Sequence, residues 1–239
     1  MKVSVIKSED RGAANHGWLK SHHSFSFANY YNPRAINFGA LRVLNDDIVA
    51  PGEGFGTHPH KDMEIISIPL SGVLEHKDSE GNSGQISAGQ VQYMSAGTGI
   101  KHSEYNGSNT EEVNFLQLWI IPHTKGLTPL YQQLDYQASD LKNTFHTIVS
   151  PDGSNNSISI RQNAWLHLSS LDKNATLNYH FKGKNTGLYL FVLKGQLNVT
   201  GNTLNTRDAI SIIDDKPVEI TALNNTEFLS IEVTQTPNP

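Results

Sequence analysis

The sequence predicts an all-β fold with two antiparallel β-barrels of the jelly-roll kind and few short helices. The first observation is length, because 239 residues are enough for two domains of about 100 to 120 residues each. The second is a series of short runs rich in β-branched and aromatic residues, separated by Gly, Asn, Asp, Ser and Pro. The third is the lack of any long segment with the 3.6-residue periodicity of a helix.

Four strands are predicted in the first half of the chain, at residues 38–45, 64–70, 72–78 and 114–121. The Ser71-Gly72 pair separates two of these strands, and such a pair is typical of a hairpin turn. Further along, residues 130–141 are predicted to form a short helix.

A weak internal repeat indicates that the second half of the chain copies the first. Residues 188–199 (LYLFVLKGQLNV) resemble residues 64–75 (EIISIPLSGVLE), and the turn glycines Gly72 and Gly195 lie 123 positions apart. Such self-similarity predicts two copies of one β module. The expected domains are an N-terminal barrel with the metal site at residues 1–128, a linker at 129–144 and a C-terminal barrel at 145–239.

The composition excludes several classes of function. A formal net charge of -5, with scattered Lys and Arg, argues against direct nucleic-acid binding, because phosphate recognition normally needs clustered basic residues. The chain contains no cysteine, which excludes disulfides and thiolate metal sites. No stretch approaches the ~20 apolar residues of a membrane span. We therefore expect a cytoplasmic protein that binds no membrane. We also expect a monomer.

Two short pairs of side chains indicate a metal site. His58-Pro59-His60 and His102-Ser103-Glu104 each place two metal-capable side chains at positions i and i+2, which share one face of a β-strand. Glycines precede both pairs and suit a close approach of two strands. An isolated His-x-His is usually a surface or cross-strand pair, so the interpretation depends on the two pairs together. Three imidazoles and one carboxylate would leave one or two coordination positions open.

The residues around these pairs resemble the motifs of the cupin superfamily. His58-x-His60, followed after three residues by Glu64, matches the first motif; in the second, Ser95 stands where proline is usual and His102 comes two residues late. These departures are those of the pirin family, which the chain resembles, and in particular of its bacterial members with quercetin 2,3-dioxygenase-like activity. The segments that carry this resemblance are residues 25–31, 41–45, 55–64, 75–79 and 95–104.

The resemblance implies a bicupin fold in which only the N-terminal barrel holds a divalent transition metal. The implied ligands are His58, His60, His102 and Glu104, with Glu104 also acting as general base, and Glu64 is expected not to be a ligand. Iron is our first expectation for the metal; zinc, manganese, nickel, cobalt and copper stay open, because imidazole and carboxylate suit all of them. The implied activity is cleavage of flavonols such as quercetin by dioxygen with release of carbon monoxide. The expected partners are therefore a small aromatic substrate and dioxygen.

The other histidines lack a partner pattern. His22 and His23 are interpreted as surface or packing residues, and His76 as a packing or cross-strand residue, because it shares a strand face with Leu74. The second half of the chain has a lone His180 and no His-x-Glu. We therefore expect no metal in the C-terminal barrel.

Two other functions stay open. The first is a non-catalytic, metal-responsive regulator that binds a protein partner, as some eukaryotic relatives do. The sequence shows no basic stripe, no long exposed amphipathic helix and no tail of biased composition that would mark such a partner surface. The second is a cupin isomerase or sugar-modifying enzyme, since a fold does not fix a function.

Overall fold

The computed structural model describes residues 1–236, which divide into two compact units. The first unit is Gly12–Asp135, and the second combines Met1–Arg11 with Tyr136–Thr236. Each unit contains one seven-stranded and one four-stranded sheet. The predicted all-β, jelly-roll-like fold is confirmed, although the sheets of each unit stay separate and do not close into a barrel.

Short strands make up most of both units, and they are numbered in chain order. Those of the first unit are β2 (Gly12–Asn15), β3 (Leu19–His23), β4 (Leu41–Val49), β5 (Gly54–His60), β6 (Glu64–Ser71), β7 (Val73–Asp78), β8 (Ser83–Ser87), β9 (Gln90–Ser95), β10 (Ile100–Asn106), β11 (Val113–Ile120) and β12 (Leu130–Asp135). Those of the second unit are β1 (Lys2–Ile6), β13 (His146–Ser150), β14 (Ile158–Ser159), β15 (Ala164–Leu171), β16 (Thr176–Tyr179), β17 (Thr186–Lys194), β18 (Gln196–Val199), β19 (Asn202–Asn205), β20 (Ala209–Ile213), β21 (Val218–Ala222) and β22 (Thr226–Thr234).

Among residues 1–236, helical structure is confined to three single 3-10 turns, at Ser8–Asp10, Ala138–Leu141 and Ser154–Asn156. Within the part of the chain that the structure describes, no helix has the length and apolar character needed to cross a bilayer.

In the first unit the large sheet has the order β12-β9-β6-β11-β4-β3-β2, and the small sheet has the order β5-β10-β7-β8. Successive side chains of a strand point to opposite faces of its sheet. On β10 the buried positions include His102 and Glu104, whereas Lys101 and Tyr105 are exposed. The small sheet therefore turns polar, metal-capable side chains toward the interior of the first unit.

The second unit repeats this strand order, except that β13 and β14 pair in parallel where β2 and β3 pair antiparallel. Its sheets have the orders β1-β20-β17-β22-β15-β13-β14 and β16-β21-β18-β19. Gly72 links β6 to β7 with φ at +75°, and Gly195 links β17 to β18 with φ at +92°. Both values lie in the left-handed region that glycine adopts without steric cost. The internal repeat predicted from the sequence is therefore confirmed.

The structure differs from the expected domain boundaries at both ends of the first unit. Residues 2–6, expected in the N-terminal barrel, pair with β20 in the second unit. Residues 130–135, expected in a helix and a linker, form β12 and pair with β9 of the first unit. In each case the segment covers a sheet edge that would otherwise present unpaired backbone groups. At residues 130–135 this pairing prevails over the predicted helix. Residues 237–239 of the expected C-terminal barrel lie outside the described residues.

Candidate metal centre

Antiparallel pairing of β5 with β10 brings three histidines together. His102 lies directly opposite His58, and the ring centroids of these two residues are 4.5 Å apart. The ring of His60 lies 4.8 Å from that of His58 and 4.9 Å from that of His102. One ring nitrogen from each residue falls in a group whose atoms all lie within 4.8 Å of one another.

The close approach of the two strands depends on a glycine. A Cβ atom added at Gly54 would lie 2.4 Å from the carbonyl oxygen of Glu104, which is a clash. The register shifts between His102 and Glu104, where β10 bulges against β5. Bulges of this kind re-aim side chains next to functional sites. Gly54 therefore allows the close approach of β5 to the bulged strand.

Two of the histidines present a ring nitrogen that is free to bind an ion. The Nδ1 atom of His58 lies 2.8 Å from the carbonyl oxygen of Gly56, an acceptor, so Nδ1 carries the proton and Nε2 keeps its lone pair. The Nε2 atom of His102 is buried and has no hydrogen-bond partner among the described residues. A buried ring nitrogen without a partner is costly, and coordination of an ion would satisfy it.

Burial also keeps two of the rings neutral. Burial, together with the neighbouring rings of His102 and His58, lowers the pKa of His60 to about 4. Burial, followed by the rings of His58 and His76, lowers the pKa of His102 to about 3. Neutral imidazole is the form that binds metal ions. The donor set therefore fits a first-row transition metal at neutral pH.

Glu104 is held firmly beside this triad. Its Oε1 atom accepts a hydrogen bond of 3.0 Å from the hydroxyl of Ser67, and its Oε2 atom accepts one of 2.8 Å from Nε2 of Gln117. The carboxylate belongs to a second group, with His76 and His102, whose ligand atoms also lie within 4.8 Å of one another. Each carboxylate oxygen has two lone pairs, so both keep capacity for a further partner.

A single row of the large sheet supplies the hydrogen bonds around the site. Asn45, Gln117, Ser67 and Gln92 lie opposite one another on β4, β11, β6 and β9, and we name these four residues the polar row. Two of them hold Glu104, and Nε2 of Gln92 lies 3.4 Å from Nδ1 of His76. All four are buried. Polar side chains in an interior need partners, and the metal-capable residues above them provide most of those partners.

The other residues singled out from the sequence lie apart from the triad. Glu64 is buried on β6 and accepts hydrogen bonds from the hydroxyls of Tyr93 and Ser95. It belongs to neither group of candidate ligands found among the described residues. His22 is exposed, and His23 is buried with its ring 5.2 Å from that of Phe27.

His76 lies closer to the triad than the sequence indicated. It is buried on β7, with its Nδ1 atom 3.4 Å from Nδ1 of His102 and its Nε2 atom 3.1 Å from a carboxylate oxygen of Asp78. The spacing of His76 and Asp78, at i and i+2, was a signal that could have linked the two. Their position behind His102 depends on the pairing of β7 with β10, which the sequence does not show.

A cavity of about 590 Å³ opens in front of the triad, within the first unit. Aromatic side chains line much of it: the rings of Trp18 and Phe55 meet edge to face at 5.3 Å, and Trp119 lies 4.9 Å from the ring of His60. The polar part of the wall includes Asn45 and Asp47, neighbours on one face of β4. Such a concave, mostly apolar space with a few polar groups is typical of a small-molecule site.

Asp47 is the carboxyl group of this wall with the most perturbed acidity. Burial raises the pKa of Asp47 to about 7, and the charges of Asp46 and Glu104 act in the same direction. The hydroxyl of Ser21 donates a hydrogen bond to Asp47 and partly opposes this effect. Perturbed carboxyl groups in a cleft are typical of functional sites.

Fold and site together define a bicupin with a candidate metal centre in one of its two units. The chain belongs to the pirin family. The Pirin family model matches residues 6–120, and the model described as the quercetinase C-terminal cupin domain matches residues 147–233. The resemblance predicted from the sequence is therefore confirmed.

The relatives bear two kinds of name. A protein of Escherichia coli (strain K12) called quercetin 2,3-dioxygenase is 44% identical over 231 residues, which cover 97% of this chain and 98% of that protein. A pirin-like protein of Caulobacter vibrioides is 41% identical over 222 residues, covering 92% of this chain and 95% of that protein. The crystal structure of bacterial pirin YhhW from Escherichia coli in complex with nickel(II) matches with a TM-score of 0.93 at 40% identity, covering 98% of this chain and 100% of that chain.

Proposed function

We propose that this protein is a metal-dependent dioxygenase that cleaves flavonols such as quercetin with release of carbon monoxide. The observation that carries the proposal is the triad of His58, His60 and His102 at an aromatic-walled cavity. The name of one relative, quercetin 2,3-dioxygenase, supports the same activity. A bound divalent transition metal would supply positive charge and open coordination positions for the substrate hydroxyl and for dioxygen.

His58, His60, His102 and Glu104 are the residues proposed to hold the metal, and iron is the metal we expect first. The lone pairs of the buried Nε2 of His102 and of Nε2 of His58 support this choice. The nickel(II) complex of the related bacterial pirin keeps nickel among the candidates. Imidazole and carboxylate ligands suit all of these ions.

Glu104 is proposed to act as general base. A carboxylate beside the triad can take the proton of the substrate hydroxyl and later return it to the carboxylate of the product. The hydrogen bonds from Ser67 and Gln117 hold both carboxylate oxygens in place. In the overall reaction the two atoms of dioxygen enter the organic product, and the hydroxyl-bearing ring carbon leaves with its oxygen as carbon monoxide. No external reductant is needed.

The cavity walls support a flat aromatic substrate that carries several hydroxyl groups. Trp18, Phe55 and Trp119 offer apolar ring faces and edges, which pack well against another aromatic system. On the polar wall, Oδ1 of Asn45 is buried without a hydrogen-bond partner among residues 1–236. A hydroxyl group of the substrate would satisfy it.

Turnover of quercetin by metal-loaded protein tests this function. The purified chain is loaded separately with Fe, Mn, Co, Ni and Cu, and loss of the visible absorbance of quercetin is followed together with dioxygen uptake and carbon monoxide release. The result expected is turnover with at least one metal, at equal stoichiometry of dioxygen and carbon monoxide. A His180→Ala variant serves as control, because this histidine is exposed in the second unit. No turnover with any metal would contradict the proposal and favour the non-catalytic regulator.

A further inference from the structure

A buried pair formed by His76 and Asp78 lies next to His102, on the side opposite His58. The Nε2 atom of His76 is 3.1 Å from Oδ2 of Asp78, and the side chains of both residues are 0% exposed. The Nδ1 atom of His76 lies 3.4 Å from Nδ1 of His102. The three side chains therefore form a chain of contacts that ends at the candidate metal centre.

The hydrogen bonds along this chain determine which nitrogen carries each proton. An ionised carboxylate only accepts hydrogen bonds, so Nε2 of His76 carries a proton and donates it to Asp78. The Nδ1 atom of His76 lies 3.4 Å from Nε2 of Gln92, an amide nitrogen that can only donate, so Nδ1 has a lone pair. The same Nδ1 lies 3.4 Å from Nδ1 of His102 and accepts a hydrogen bond from it. His102 consequently has its proton on Nδ1, and its Nε2, the buried atom without a partner among the described residues, is left to bind an ion.

Neighbouring groups hold the pair in this arrangement. The Oδ1 atom of Asp78 accepts hydrogen bonds from the backbone N–H groups of Glu80 and Asn82, at 3.0 and 2.9 Å, which turns Oδ2 toward His76. On the other side the ring of Tyr131 stacks on the ring of His76 at 4.8 Å and 26°. The strand that carries Tyr131, β12, thereby helps to fix the imidazole.

We propose that Asp78 and His76 are positioning residues that set the tautomer and ring orientation of His102, so that its Nε2 faces the metal ion. This inference rests on the metal site proposed above. It gives a role to a buried histidine and a buried carboxylate that the proposed reaction does not use. Groups of this kind around a metal ligand typically contribute 10- to 100-fold to metal affinity.

A different role for His76 is coordination of a second ion. His76, His102 and Glu104 form the second group of candidate ligands, and an ion there would need a lone pair on Nδ1 of His102. The positioning role requires a proton on that same nitrogen. The two roles therefore predict different metal stoichiometries and different signals from the ring N–H of His102.

Three variants of the full-length protein test the positioning role. His76→Phe removes the acceptor. His76→Gln keeps an acceptor oxygen and is the conservative rescue. Asp78→Asn places an amide N–H₂ opposite Nε2 of His76, because the backbone donors of Glu80 and Asn82 keep the carbonyl oxygen on their side. The side-chain amide of Asn82, which donates to Oδ2 of Asp78 at 2.9 Å, turns its oxygen toward the new N–H₂. That donor reverses the tautomer of His76 and so drives the proton of His102 onto Nε2.

Cobalt(II) is the probe. Its affinity is measured by competition with a chelator, and its stoichiometry by elemental analysis. Proton NMR of the cobalt-loaded chain detects the paramagnetically shifted, exchangeable N–H of each ligating imidazole. The expected result is one ion per chain in the wild type, 10- to 100-fold weaker binding in His76→Phe and Asp78→Asn, and a smaller loss in His76→Gln. One exchangeable N–H signal, that of His102, should vanish or shift in the first two variants. His22→Phe, at an exposed position, is the control.

The outcomes separate the two proposals. If wild-type protein binds no cobalt, the proposed metal site fails and this inference fails with it. If wild-type protein binds one ion and all variants bind it with unchanged affinity and unchanged N–H signals, the site stands and the positioning role is overturned. Two ions in the wild type and one in His76→Phe would also overturn it, in favour of coordination. A loss of affinity in His76→Phe with every N–H signal unchanged would show a structural effect only and equally contradict the role.

Discussion

The two units share one strand order but fill their interiors differently. The polar row of the first unit has its counterpart on β15, β22, β17 and β20 of the second, at positions that follow from the same pairing. Ser67 corresponds there to Leu190, and Gln92 corresponds to Ile210. Both apolar residues belong to the core cluster of the second unit.

The candidate ligands are replaced in the same way. By the pairing of β21 with β16 and β18, Val218 stands where the first unit has His102, and Ile220 stands where it has Glu104. Val199 takes the place of His76. The second unit therefore has apolar residues at the ligand positions, although His167 and Ser230, which match Asn45 and Gln117, are buried polar residues. The two units show that this fold accepts either metal-capable or apolar side chains at the same interior positions.

The largest expected effect comes from removing an imidazole from the triad. His58→Ala should lose both bound metal and turnover, because the proposed site loses one of its four ligands and with it the geometry that the four together fix. Metal content by elemental analysis and quercetin consumption check this outcome. The replacement Tyr179→Phe, at the matching place on β16, should leave both unchanged. Full activity of His58→Ala would end the assignment of the site.

Glu104→Gln should separate catalysis from metal binding. The amide keeps the shape of the side chain but cannot take a proton, so turnover should fall by about 10²- to 10⁴-fold, the usual contribution of a general base. Metal content should fall much less. Parallel measurement of kcat and of bound metal tests this, and a variant that loses all metal or keeps full turnover would contradict the role of base.

Replacing one interior residue of the second unit by its counterpart from the first unit tests the comparison between the units. Leu190→Ser, which places the first unit's residue in the second unit, should lower the free energy of unfolding by about 3 to 5 kcal/mol, since it leaves a cavity and an unpaired hydroxyl in an apolar core. Chemical denaturation measures this loss. Metal content should not change, because the ligands lie in the first unit. A neutral effect on stability would show that the second interior is less tightly specified than its packing indicates.

The smallest expected effect is the contribution of His167 to the pH dependence of the free energy of unfolding. It occupies the position in the second unit that matches Asn45, and neither ring nitrogen has a hydrogen-bond partner among the described residues. Burial, followed by the charges of Lys182 and His146, lowers its pKa from 6.5 to about 3. Between these values the unfolded chain binds a proton and the folded chain does not, so this residue makes stability fall as the pH drops below about 6.5.

The expected slope from this one group is at most about 1.4 kcal/mol per pH unit. Unfolding free energies of wild type and His167→Phe between pH 7 and pH 5 measure it by difference, and that difference cancels the contribution of the other histidines. Parallel curves for the two proteins would contradict the assignment of a buried, neutral His167.

Much of this architecture was predictable from the sequence, for identifiable physical reasons. The i, i+2 spacing of His58 and His60 puts both side chains on one strand face whatever the fold, and the turn glycines revealed the repeat. The pairing of β12 with β9 was missed, because the apolar spacing of residues 130–141 also suits a helix and the available sheet edge is a tertiary feature. The polar row was missed for a related reason, since its members are far apart in sequence and meet only through the register of four strands.

The most direct measurement of the central claim is a crystal structure of zinc-loaded protein with anomalous data at the zinc edge. We expect one ion per chain in the first unit, with His58, His60 and His102 bound at about 2.0–2.1 Å and Glu104 at about 2.0–2.2 Å, and a coordination position open to the cavity. An ion bound elsewhere, or one enclosed entirely by protein ligands, would contradict it.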